Sequence, residues 1–390
     1  MIVYSTIFFI NALACYCGKR DKKILKYFVI ALLILMTGTR YYMGGLDIRT
    51  YEGVYNNVPN LSILFKFLFF GIENPLINTN YETGFLILCS LIKTFHFNFF
   101  GFTLIWTIIF YSILIKGLDE FVPNWSIFIA VFMYKIMFYN TFISIRQGLT
   151  MALFCYSLKY IRDRKWYIYF PFCFFIFLMH NGAIILFPLY FINYLPISKK
   201  FIKKFAIALL PTWFISSSID MSSVIMKVAN FIGNTHSASH WAESVESISI
   251  LHTLECYAII FMILVFYKKI MTTKKTKEME LILRLVIISI PLFTLFRSWI
   301  IFTREKDYFV MMYGIILGYI LEGNTTTIVN SVKGYITNMD FVGYKNFKII
   351  SAFIFLICFI GIFRYVVRFD GGVLWNYTSY LTKGVSIFDF

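Results

Sequence analysis

Charge is scarce in this sequence. Only 14% of its 390 residues are Asp, Glu, Lys or Arg, while 59% are hydrophobic. Soluble domains carry about a quarter charged residues, so the scarcity excludes an ordinary soluble chain. Acidic residues are the scarcer sign, 20 against 36 basic. They form neither a DxD-type pair nor the clustered carboxylates of a Mg²⁺ cage. The seven cysteines lie in or beside apolar runs without metal-ligand spacing, and neither a disulfide nor a metal site is expected. No long soluble domain, internal repeat or low-complexity region appears. Nor does the opening "MIVYSTIFFINALACYC" carry the positive stretch that precedes a cleavable signal. It reads as a first span with its N-terminus outside.

What fills the chain is apolar text, in runs at 24–36, 99–115, 127–139, 166–179, 183–195, 250–267, 281–296 and 349–363. Several approach the roughly 20 residues that cross a hydrocarbon core. Without water to satisfy the backbone, such runs must be helices. The expectation is an all-α, polytopic transmembrane bundle of about 11–14 spans, some re-entrant, forming one integral membrane domain over residues 1–390.

The net charge of +16 invites a nucleic-acid reading, which the distribution rejects. The basic residues gather in short clusters between runs, at 19–23, 162–165, 199–204 and 268–277. Such clusters hold loops on the cytoplasmic side. With all four inside, outer-face loops fall near 40–82 and 220–249, and a tail at 368–390 also lies outside. Residues 166–198 become a hairpin with His180 at its outer turn. Between 83 and 142 three apolar segments join ends that both belong outside, so one segment, or the run at 61–72, is re-entrant.

Ionisable residues near a bilayer core are costly and tend to face a cavity or one another. This topology gathers Arg40, Asp47, Arg146, His180, Arg297 and Arg304 toward the outer side. Arg297 and Arg304, seven apart, share a face if their helix continues. Each also has a plainer reading. Arg40 serves as a snorkelling anchor, His180 as a hydrogen-bonded turn residue, and Asp47 as a helix cap or a partner of Arg49. His236, His240, Glu243 and Glu246 have helical spacing that an exposed amphipathic helix explains without a metal. Tyrosines 41, 42, 51 and 55 suit interfacial anchoring or stacking on sugar faces. Taken jointly, several guanidinium groups on one side suggest a phosphate or diphosphate ligand, and a membrane-embedded ligand of that kind is a polyprenyl diphosphate.

Five stretches then occur in order: "RYYMGGLDIRTYEGVY", "YETGFLILCSLI", "SIRQGLTMALFCYSLKYIRDRKWYIYF", "FLMHNGAIILFPLYF" and "TREKDYFVMMYGIIL". Together they resemble the EpsG family of bacterial exopolysaccharide and O-antigen polymerases, the Wzy-type group. The resemblance implies a GT-C-like glycosyltransferase architecture in the bacterial cytoplasmic membrane, with the active site facing the periplasm or exterior. It implies a polymerase that moves a growing glycan from undecaprenyl diphosphate onto a new lipid-linked repeat unit. Its partners are those lipid-linked oligosaccharides, membrane lipid and a chain-length regulator, with no nucleic acid and no cofactor. Arg40, Gly45, Asp47 and Tyr51 match the family's Arg-Gly-x-Asp-Tyr pattern, Glu82 and Gly84 its E-x-G element, Arg146 and Gln147 its IRQ, and His180 its histidine. Leu46, Ile48 and Asn181-Gly182 depart from the family's usual neighbours.

On this basis His180, then Asp47, is the expected general base. Arg146 and Arg304 are expected on the diphosphate, with Arg40 and Arg297 as helpers, and Gln147, Tyr51 and Glu82 in substrate binding. Transfer is expected to be metal-independent. The competing class is a flippase or exporter of the same glycans, which would carry its charges through the whole membrane and show repeat symmetry.

Overall fold

The computed structural model describes residues 1–71, 81–218, 227, 247–272, 276–329 and 338–388. Among them the chain is all-α: there is no β-strand, and the extended pairings are two isolated bridges, Arg40 with Ser379 and Phe97 with Phe388. Two compact units emerge, Met1–Phe187 with Ala352–Phe390, and Pro188–Ser351. All seven cysteines are free thiols.

The first unit contains α1 (Ile2–Ala14), α2 (Lys19–Gly38), α3 (Gly45–Asn57), α4 (Leu61–Phe70), α5 (Thr83–Lys93), α6 (Phe99–Leu118), α7 (Trp125–Phe132), α8 (Ile145–Arg162) and α9 (Trp166–Met179). Local chemistry sets several boundaries. The Asn98 side chain accepts from the N–H groups of Phe100 and Gly101 at 3.0 and 3.1 Å and starts α6. Asn124 does the same for α7, accepting from the Ile127 N–H at 3.2 Å. At the end of α3 the Lys93 ammonium donates to the carbonyls of Asn56 and Val58 at 2.7 and 2.8 Å, where helix carbonyls lack partners. The core of the unit is α6 packed between α2 and α8, with α1 against α2 and α7, and α9 against α8 and α5.

α7 runs into an eleven-residue π-helical stretch, Met133–Ile143, which ends at Ser144. α8 then starts afresh. An added Cβ at Gly148 would collide with the Asn140 carbonyl, so only glycine lets the first turn of α8 lie on the end of the π-stretch.

Among the described residues four helices are long and apolar enough to cross a membrane: Phe99–Leu118, Trp125–Ile143, Ile250–Met271 and Phe347–Arg368. Five more apolar helices are shorter: Ile2–Ala14, Leu61–Phe70, Thr83–Lys93, Trp166–Met179 and Asn181–Tyr194. Among the described residues the long apolar helices are thus fewer than the about 11–14 expected spans. The reason is physical. α2 opens on five charged residues and α8 carries Arg146, Lys159 and Arg162, so neither is purely apolar. Other apolar runs break at Thr94, at His180 or after Ile288 before reaching full length.

The helix Phe347–Arg368 shows why lipid is its solvent. Phe353, Leu356, Ile360 and Phe363 form one exposed stripe, while Ile354, Cys358, Ile362 and Val366 form a buried one. Apolar residues on both faces, one of them uncovered, mark a lipid-facing surface.

After this helix the chain returns along the first unit. Tyr41 donates its N–H to the Thr378 carbonyl at 2.9 Å, and Tyr380 to the Thr39 carbonyl at 3.0 Å. Further on, the Asn98 N–H bonds the Ile387 carbonyl at 3.0 Å, and the rings of Phe97 and Phe388 stack with centroids 4.8 Å apart.

In the second unit Ile250–Met271 leaves Leu251, Leu254, Phe261 and Val265 exposed. The helix Thr276–Ile288 is largely buried and packs on Asp307–Val329. The helix before Arg297 does not continue to Arg304: Ile290–Phe293 ends in a turn, and a separate short helix, Ile300–Glu305, follows. The condition for a shared face is therefore not met, because the Thr294 backbone leaves helical geometry (φ −121°, ψ −83°).

Candidate active site

Glu82 occupies the N-cap of α5, where a carboxylate ordinarily accepts from its own helix. It makes no such bond. Its Oε1 lies 2.9 Å from His180 Nδ1 and accepts the Asn181 backbone N–H at 3.1 Å, while Oε2 is ion-paired with Arg146 Nη1. Both oxygens are committed, to partners 64 and 98 residues away in sequence.

Each partner arrives for a local reason. α9 stops at Met179, and His180 is extended (φ −162°, ψ 124°), which takes its ring off the helix axis. Gly84 permits the approach: a Cβ there would stand 2.7 Å from the Leu178 carbonyl oxygen. Arg146 is the second residue of α8, placed by the break at Ser144 and the close contact at Gly148. A cation at a helix N-terminus opposes the helix dipole, so the Glu82 carboxylate also relieves an unfavourable placement.

The Arg146 guanidinium lies over the Tyr81 ring at 4.6 Å, and its Nε donates to the Tyr51 hydroxyl at 3.4 Å. Tyr51 makes T-shaped contacts with Tyr81 and Phe85, which tilt against each other, with centroids 5.7 to 6.3 Å apart. The Glu82 side chain is 7% exposed, whereas Arg146 and His180 retain 22% and 17%. The carboxylate is thus interior, and the cation and imidazole lie between it and the surroundings. Burial pushes the Glu82 carboxyl up, but the His180 hydrogen bond, the Arg146 charge and the Asn181 N–H outweigh it and hold the group low, at about 2. An ionised carboxylate can only accept, so the His180 proton facing it sits on Nδ1. Nε2 is then the ring atom available to take a proton.

The other expected residues fall as follows. Asp47 is exposed in the first turn of α3, one turn before Tyr51 and within electrostatic range of Tyr51 and Tyr81. Gln147 is fully buried, with Oε1 3.5 Å from the Ser144 hydroxyl. Arg40 is also buried, and its neighbours are Thr37, Phe142, Tyr111 and Tyr377. Arg297 and Arg304 belong to the second unit. There Arg297 Nε donates to the Trp213 carbonyl at 3.1 Å and its guanidinium lies 3.9 Å from the Trp213 ring, while Arg304 is exposed. His236, His240, Glu243 and Glu246 lie outside the described residues. Among the described residues no group of three or more His, Cys, Asp or Glu side chains is placed to hold a metal. Tyr81 and the Asn181 N–H were given no role from the sequence, although both lie inside quoted stretches.

The EpsG family model matches residues 23–379. The chain belongs to the EpsG family. The match takes in every residue of the Glu82 cluster, and it makes this EpsG member a membrane protein connected with polysaccharide. No curated protein matches the chain, and no solved structure does.

Proposed function

We propose that this EpsG protein is a Wzy-type polysaccharide polymerase. It takes a growing glycan from undecaprenyl diphosphate and joins it to the sugar of a new lipid-linked repeat unit at the outer face of the cytoplasmic membrane. The observation that carries the reading is the Glu82 bridge between His180 and Arg146, which brings a candidate base and a permanent cation to one place.

In this reading the acceptor sugar's hydroxyl gives its proton to His180 Nε2 as its oxygen attacks the anomeric carbon of the donor glycan. The bond from that carbon to the diphosphate oxygen breaks, and the diphosphate leaves with the electron pair. Arg146 faces the charge that develops there, the kind of preorganised electrostatic help that is usually the largest catalytic contribution. Glu82 holds the imidazole in its Nδ1–H form and keeps Arg146 in place; it is a positioning residue. Tyr81, half-buried, offers a ring to a sugar, while Tyr51 is buried and accepts from Arg146 Nε. Asp47 is the second candidate base.

The test is polysaccharide length in cells carrying Arg146→Ala or His180→Ala, with membrane levels matched to wild type. Loss of long chains with single repeat units still displayed supports the polymerase. Loss of all displayed units supports the flippase instead, and wild-type length in both variants removes the site assignment.

A further inference from the structure

Arg40 presents a problem the Glu82 cluster does not. It is 2% exposed, and among the described residues no carboxylate pairs with it. Its Nη1 donates to the Thr37 carbonyl, which is the carbonyl side of a helix end and a reasonable place for a cation. Its Nε and Nη2 donors have no partner. A buried charge with two unmet donors is among the least favourable arrangements a protein interior can hold.

The surroundings do not relieve it. The Phe142 ring lies 5.2 Å from the guanidinium carbon and contributes only a cation–π attraction. Tyr111 and Tyr377 lie within electrostatic range. The Tyr377 hydroxyl is occupied, donating to the Met36 carbonyl at 2.8 Å and lying 2.9 Å from the Thr39 hydroxyl. The Tyr111 hydroxyl is buried beside Thr37, whose own hydroxyl already donates to the Leu33 carbonyl, and that of Tyr4, whose ring is 6.2 Å from that of Tyr377, is buried with no partner. The unmet groups are guanidinium and hydroxyl donors around one positive charge.

Nε and Nη2 are the two donors on one edge of a guanidinium, and they point in parallel. That edge is the fork that takes two oxygens of a phosphate or carboxylate. We propose that Arg40 is an oxyanion site separate from the Glu82 cluster, binding a phosphate-type group through Nε and Nη2 with the Tyr111 hydroxyl as a further donor. The wall over it is the returning C-terminal segment, since Thr39 and Tyr41 on either side of Arg40 bond Tyr380 and Thr378. The phosphate-type group is either free phosphate or the headgroup of a polyprenyl phosphate. The site does not depend on the polymerase reading, because its test measures binding rather than polymer.

The experiment is thermal unfolding of the full chain in detergent, titrated with inorganic phosphate against chloride at fixed ionic strength. A ligand that binds the folded state raises the midpoint in a saturable way. Wild type is expected to respond to phosphate beyond chloride, and Arg20→Ala, at an exposed arginine of the 19–23 cluster, to respond equally. Arg40→Gln is expected to lose the response. Arg40→Lys, which keeps the charge without the fork and guards against a variant that does not fold, is expected to need about ten-fold more phosphate or worse. Tyr111→Phe is expected to weaken the response. A parallel titration with farnesyl diphosphate identifies the source: an Arg40-dependent response at lower concentration than inorganic phosphate points to the lipid, and a weaker one to the free anion. The proposal is overturned if phosphate acts no differently from chloride, as it would if water alone met these donors. It is overturned equally if the response survives Arg40→Gln or disappears in Arg20→Ala.

Discussion

Glu82 Oε1 and His180 Nδ1 lie 2.9 Å apart although 98 residues separate them in the chain. The same carboxylate pairs with Arg146 through its other oxygen. Three helices (α5, α8 and α9) are therefore tied at their ends by one buried anion, and the candidate chemistry of the site depends on that tie.

Replacing Glu82 with Ala is expected to destabilise the protein by roughly 3–5 kcal/mol, because Arg146 loses the anion that compensates it. Glu82→Gln keeps the shape and is expected to be milder. Both should abolish long polymer, the Gln variant while retaining near-normal membrane levels. Thermal unfolding and polymer length, measured on the same preparations, separate these effects.

The pH dependence follows from the depressed Glu82 group. Its carboxyl is held at about 2 in the folded protein against an ordinary value of 4.5. A group depressed on folding stabilises the protein fully above its unfolded value, and the contribution fades as pH falls toward the folded one. The midpoint difference between wild type and Glu82→Gln should shrink as pH falls from 4.5 toward about 2. A difference that instead grew with acid would contradict this assignment.

His180→Ala should lower the polymerisation rate by about 10²–10⁴-fold, the usual range for a general base, while leaving binding of the lipid-linked donor nearly unchanged. Arg146→Ala should weaken both. If His180→Ala changes donor binding alone, His180 is not the base.

Gly84→Ala and Gly148→Ala place a methyl group against the Leu178 and Asn140 carbonyls. Each is expected to cost about 1–3 kcal/mol through backbone displacement, with loss of polymer as the cluster opens. Gly53, where an added Cβ meets nothing within 4 Å, is the control, and Gly53→Ala should be neutral or slightly stabilising.

Polymer formation by purified protein is expected to survive EDTA. Activity abolished by chelation and restored by Mg²⁺ or Mn²⁺ would refute metal-independent transfer.

Much of the site was legible in the sequence. Arg146 and His180 stand out because ionisable groups in apolar text need a reason, and Glu82 and Tyr51 because they sit in the motifs shared with the family. What could not be read is how they meet. Glu82 was expected on the substrate, yet both its oxygens are taken by protein groups, a fact that depends on contacts across 64 and 98 residues. The π-stretch at Met133–Ile143 was invisible because its residues are as apolar as those of an α-helix. The Arg297–Arg304 face failed because the helix stops at Phe293 and Thr294 leaves helical geometry, a break that the apolar residues on either side do not announce. The pairing of 378–380 with 39–41 uses backbone groups alone, which carry no residue signature.

That pairing bears on how the protein is made. The first unit consists of the N-terminal half of the chain plus its last forty or so residues, with the whole second unit synthesised in between. Arg40 and the start of α6 must therefore wait, uncovered, until the ribosome has delivered Thr378 to Phe388. The part of the molecule translated first is completed last, and a chain released before residue 378 would leave that unit open however well its own helices had inserted.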